Sequence, residues 1–208
     1  MNIFYPYKYY NFFQQSDMGL SAVDNIMRTD ELTYFHEKDD DLEYNMTLPS
    51  FVDCFYKLVV HDKIMPTQAE FRDSYFVTNP DFIKTLREDQ LIPMKGRLHR
   101  TYPTLARDLH FLLSLRKFLD CSLIYSKKLD MENGIDIMVS DGLIYYGLEL
   151  FLKSDRSDEF REKKKDRSNK FDNVTYVEIP LEKDKASKIG GHCVYGIEHL
   201  LQVEKLLN

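Results

Sequence analysis

Two carboxylates and a lysine, set among apolar residues on neighbouring stretches, are the side chains of this sequence best suited to chemistry. The stretches are Gly134-Ile135-Asp136-Ile137-Met138-Val139 and Tyr145-Tyr146-Gly147-Leu148-Glu149-Leu150-Phe151-Leu152-Lys153. Side chains alternate between the two faces of a strand, so Asp136 points opposite to Ile135 and Ile137, while Glu149, Phe151 and Lys153 share one face. A half-buried strand disfavours charge, so each of these residues needs a partner, a metal or water. Asp136 with Glu149 offers oxygen ligands to a hard cation, and Lys153 adds a proton-transfer group.

The elements that must position them follow from periodicity. Residues 102 to 118 carry Leu105, Leu109, Leu112, Leu113 and Leu115 at helical spacing, with Thr101 or Thr104 as caps. A strand near Ser122–Tyr125, an Asn133-Gly134 turn, the Asp136 strand, a Ser140-Asp141-Gly142 turn and the Glu149 strand come next. A charged helix over 155–169 is expected, then a strand at Val174–Ile179 and a closing helix from about Tyr195 to Leu207.

Helix, three strands, helix, strand, helix resembles the core of the PD-(D/E)XK nuclease superfamily over roughly the C-terminal half. The resemblance implies an α/β (α+β mixed) fold, with a restriction-endonuclease-like core of a central mixed sheet flanked by helices. A small helical region precedes it. It implies that Asp136 and Glu149 bind Mg²⁺ or Mn²⁺, with the Phe151 backbone carbonyl as a further ligand. The family carries its lysine two residues after the Glu, where this chain has Phe151. Lys153 is next on the same face, and Lys163 and Lys164 on the following helix are accessory candidates. Asp108 and His110 are the acidic and polar candidates on the preceding helix. The resemblance extends to restriction, transposition and phage-defence enzymes, and the layout is similar to TnsA-type transposase endonucleases.

The charge is unevenly placed. The net charge is −6 over 208 residues, yet residues 84–118 hold eight basic residues against three acidic ones, and residues 1–50 hold three against nine. Lys95, Arg97, Arg100 and Arg107, interleaved with His99 and Tyr102, form a basic cluster of the kind that contacts phosphates. The expected partner is a nucleic acid, DNA by family habit, with a homodimer or larger assembly for double-strand cutting.

Residues 1–100 read as a mostly helical region and 101–208 as the nuclease core. Helices are expected from Pro49 to Asn79 and over 81–87, a set that can form a helix-turn-helix-like module. The aromatic opening, from Ile3 to Phe13, is expected to pack against the body or a partner. Glu37–Asp41 fails as an EF-hand loop for want of the Gly and closing Glu. Cys54, Cys121 and Cys193 have no paired spacing and read as free thiols, and His192-Cys193 with His199 lacks a clear fourth zinc ligand. There is no Walker-type loop, dinucleotide glycine turn, nucleophile elbow or HExxH. No apolar run reaches the roughly 18 residues of a membrane span and no signal peptide pattern opens the chain, so a cytoplasmic protein without membrane contact is expected. Two non-nuclease classes compete: a catalytically inactive nuclease fold serving as a binding subunit, and a small acidic interaction or inhibitor protein.

Overall fold

A computed structural model describes residues 3–6, 18–154 and 170–208 of the chain. The fold is mixed α/β, and the chain divides into two compact units. One comprises Ser16–Leu109 with Lys188–His192; the other comprises Met1–Gln15, His110–Ser187 and Cys193–Asn208. The boundary at 109/110 lies inside a single helix, and the reading of residues 1–100 and 101–208 as separate regions would cut that same helix.

The first unit is helical. Helix α1 spans Leu20–Thr29 and buries Val23 and Met27. Helix α2, Phe51–Tyr56, starts where the Ser50 hydroxyl accepts from the Asp53 N–H at 3.1 Å. Helix α3, Gln68–Thr78, opens with a reciprocal cap: Glu70 N–H donates to the Thr67 hydroxyl, and Thr67 N–H donates to the Glu70 carboxylate at 2.8 Å. Helix α4, Pro80–Thr85, is short and buries none of its residues. Phe55, Phe71 and Tyr102 pack ring to ring at about 6 Å between centroids. The Tyr75 and Tyr102 hydroxyls donate to the carbonyls of Pro49 and Pro66.

Helix α5 runs Leu91–Phe118 and so begins eleven residues before the expected start at Tyr102. Pro103 sits in its interior. Proline has no N–H, so the His99 carbonyl four residues earlier loses its helical donor. The buried Gln68 side chain supplies one instead, donating to His99 O at 3.0 Å. The helix therefore continues where the sequence signals a break.

The second unit is built on a four-stranded sheet. Strands β1 (Ser122–Ile124), β2 (Ile137–Ser140), β3 (Tyr145–Leu152) and β4 (Val174–Leu181) lie in the order β1-β2-β3-β4. The first three are antiparallel neighbours and β4 runs parallel to β3. Between β1 and β2 the expected turn is a helix, α6 (Lys127–Asn133), closed by Gly134 in the left-handed conformation at φ 66°. There Gly134 N–H and Ile135 N–H return to the carbonyls of Asp130 and Leu129. A hairpin of β5 (Ser187–Ile189) and β6 (His192–Val194), whose residues 188–192 belong to the first unit, turns at Gly190-Gly191, and helix α7 (Ile197–Leu207) follows in the second.

One side of this unit's core gathers Phe4, Leu129, Ile135, Met138 and Phe171. Phe4, from the aromatic opening, is 1% exposed, and its main-chain N–H and C=O are both bonded to the Asn173 side-chain amide. Burying a phenylalanine contributes about 2–3 kcal/mol. Residues 7–13 of that opening and the expected helix over 155–169 lie outside the described residues.

Candidate functional site

The β2–β3 register ends at Ile137 paired with Leu148, and Asp136 and Glu149 are the residues next along the chain from that last pair. Both are half-buried. Asp136 is not itself a strand residue: it occupies the bend before β2. Its N–H donates to Leu148 O at 2.9 Å, and its carboxylate Oδ2 accepts from the Leu150 N–H at 2.6 Å. The side chain thus takes the acceptor place that a main-chain carbonyl would hold at the end of the ladder, and this fixes its carboxylate at the Leu150 main chain, one residue past Glu149.

Along β3, main-chain groups alternate between the two neighbouring strands. Leu148 O and Leu150 N bond toward Asp136, whereas Lys153 N–H donates to Leu181 O on the opposite neighbour, β4. By the same alternation the Phe151 carbonyl faces β4, and Leu150 is the residue whose main chain reaches Asp136. Sequence reasoning passed over Leu150, because main-chain contacts leave no trace in residue type. On the other side the parallel register sets Glu178 opposite Glu149. Among the described residues, no group of three or more His, Cys, Asp or Glu side chains is arranged to hold a metal ion.

Lys153 stands four residues past Glu149, about 13 Å along an extended strand. Its ammonium pairs with Glu182 at 3.1 Å, and Lys185 pairs with the same carboxylate. Hydrogen bonds from Lys185 and then Lys153 hold the Glu182 carboxyl below its ordinary range. Lys163 and Lys164 lie outside the described residues.

His110 and Asp108 are on α5, His110 buried at 7% exposure and Asp108 bonded to Arg107 at 3.1 Å. The basic cluster divides by burial. Arg107 is buried, its side chain 6% exposed against Asp108. Arg100 pairs with Glu43 and donates to the carbonyls of Phe35 and Glu37. Arg97 lies over the Phe51 ring at 5.6 Å, where burial lowers its pKa. Lys95 is half-buried. The acidic segment is held in the same way: Asp39 accepts from Leu42 N–H, Gln90 and Arg87, which together hold its carboxyl below the ordinary range. No described helix is long and apolar enough to cross a membrane.

No protein-family model, no curated protein and no solved structure matches this chain.

Proposed function

We propose that this chain is a metal-dependent nuclease of the PD-(D/E)XK type that hydrolyses phosphodiester bonds, with DNA the preferred substrate. One observation carries the reading: a mixed sheet, antiparallel from β1 to β3 and parallel at β4, in which Asp136 and Glu149 flank the last β2–β3 pair and the Asp136 carboxylate is bonded one residue past Glu149. Two carboxylates suit Mg²⁺ or Mn²⁺ in kind, because such ions keep several waters and complete their shell with substrate phosphate. When bound, the ion supplies an activated water and neutralises charge on the phosphate. The chain's own contribution is positioning. Leu150 N–H anchors the Asp136 carboxylate, one residue past Glu149 on β3. Lys153 is the described residue assigned to stabilise the developing charge, and it must first leave Glu182 to do so.

The test is purified protein with supercoiled plasmid, linear single strands and RNA, each with Mn²⁺, Mg²⁺ or EDTA, beside Asp136→Asn. Cleavage that requires both metal and Asp136 is expected. Metal-independent cutting, or cutting retained in Asp136→Asn, overturns the assignment.

A second reading, an inactive nuclease fold used as a binding subunit, is favoured by one specific contact. The Lys153 ammonium is already bound to Glu182, and Phe151 occupies the family's lysine position. Absence of cleavage under every condition above, with nucleic acid still bound, would select it.

A further inference from the structure

A pocket of about 490 Å³ opens in the sheet-containing unit, within the range of volumes that hold small organic ligands. Its walls include three hydroxyl side chains that share a single rung of the sheet. Ser122 on β1 is the register partner of Ser140 on β2, and Ser140 is the register partner of Tyr145 on β3. Register partners project to the same face, one strand spacing of about 4.8 Å apart, so the three form a row. Ser140 is 3% exposed and its hydroxyl accepts from the Gly142 N–H at 2.9 Å, which leaves the O–H to donate.

Around this polar row the pocket is apolar, with Met138 on β2 and Leu112 on α5 among its walls, and it includes one cation, Arg116. A purely apolar ligand would bury the O–H donors of the row without acceptors, which is costly. A simple anion would leave the apolar walls unused. A flat heteroaromatic ring with mixed donors and acceptors along its edge satisfies the row, and its faces suit the apolar walls. A phosphate attached to the ring suits the guanidinium fork of Arg116.

We propose that this pocket is a nucleotide subsite that takes one base of the substrate strand, its edge read by Ser122, Ser140 and Tyr145 and its phosphate held by Arg116. The inference rests on the nuclease reading for its connection to cleavage. Ser140 stands four residues from Asp136 and Tyr145 four residues from Glu149, about 13 Å along the extended chain. The base in the pocket therefore belongs to a nucleotide near the cut, not to the one being cut.

The experiment is a calorimetric titration of the full chain, in EDTA, with the four deoxynucleoside monophosphates, the matching nucleosides and inorganic phosphate. Expected are saturable binding of at least one nucleotide, tighter than its nucleoside and than phosphate alone. Loss of a charge-assisted contact or of a matched hydroxyl should weaken that binding by about tenfold in Arg116→Gln and in Ser122→Val. Both positions are exposed, so neither substitution threatens the fold. No saturable binding, phosphate binding as tightly as the nucleotide, or indifference to Ser122→Val overturns the subsite. The titration contains no metal and reads no cleavage, so the two readings fail separately. A chain that binds nucleotide without ever cutting refutes the nuclease, and one that cuts without binding nucleotide refutes the pocket.

Discussion

The Asp136 carboxylate accepts the Leu150 main-chain N–H at 2.6 Å, one residue past Glu149. The residue assigned to hold a metal ion is therefore also part of the β2–β3 ladder, and the two roles separate by substitution. Asp136→Asn keeps a carbonyl oxygen for Leu150 and should unfold at the wild-type urea midpoint while losing metal-dependent cleavage. Asp136→Ala leaves a buried N–H without its acceptor and should lose about 1–3 kcal/mol as well. Equal stability of the two variants would show that the ladder role is negligible.

Glu182 pairs with the Lys153 ammonium at 3.1 Å, and this is the contact that Lys153 must break to act at the proposed metal site. Glu182→Gln should raise cleavage severalfold by releasing Lys153, and Lys153→Met should abolish it in both backgrounds. The Glu182 carboxyl is lowered in the folded chain, so its ion pairs contribute above the ordinary Glu pKa and fade as pH falls through the folded value. The gain from Glu182→Gln should accordingly shrink in acid. Cleavage indifferent to Lys153→Met would pass the role to another residue.

The basic stretch of α5 should also separate by what each side chain already touches. Lys95→Gln should lower the salt dependence of DNA binding by about one phosphate, roughly 0.9 in slope, without changing stability. Arg100 holds Glu43 and two carbonyls, so Arg100→Ala should cost about 2 kcal/mol in a urea melt. A salt slope unchanged in Lys95→Gln would remove that residue from the interface.

Elements with their own periodicity were legible in the sequence, and those set by partners were not. The alternation of Val174–Ile179 and the apolar stripe of Ile197, Leu200, Leu201 and Val203 mark β4 and α7 directly. The β5–β6 hairpin has three residues per strand, too few for alternation to register, and depends on close packing. At Gly190, φ is 56° and an added Cβ would lie 2.2 Å from Met27 O. At the candidate site, residue types disclosed Asp136 and Glu149. The contact to Leu150 was hidden because it is made by main chain, and the Lys153–Glu182 pair because it joins residues 29 apart.

His99 gives the helical unit a pH dependence. Burial lowers its pKa, and Nδ1 sits 2.8 Å from the Thr33 hydroxyl. The unfolded chain binds the proton first as pH falls, so stability is complete above the ordinary His value of about 6.5 and declines as pH drops toward the folded value. Urea melts at pH 7.5 and 5.5 should show wild type losing stability at the lower pH and His99→Gln losing less. An equal loss in both would place the titration elsewhere.

Gln68 and Pro103 should be energetically coupled, although neither bonds the other. Pro103 removes the helical donor to His99 O, and Gln68 replaces it while accepting from both the N–H and the hydroxyl of Thr33. Gln68→Leu therefore leaves the buried His99 carbonyl and the Thr33 N–H without this partner and should cost about 2 kcal/mol. Pro103→Ala restores an N–H in helical reach of His99 O, so Gln68→Leu in that background should cost about 1 kcal/mol less. The Thr33 contacts are lost in either background and cancel in the cycle. A double-mutant cycle additive to within about 0.3–0.5 kcal/mol would mean that the His99 carbonyl does not need Gln68, and that α5 passes through Pro103 for another reason.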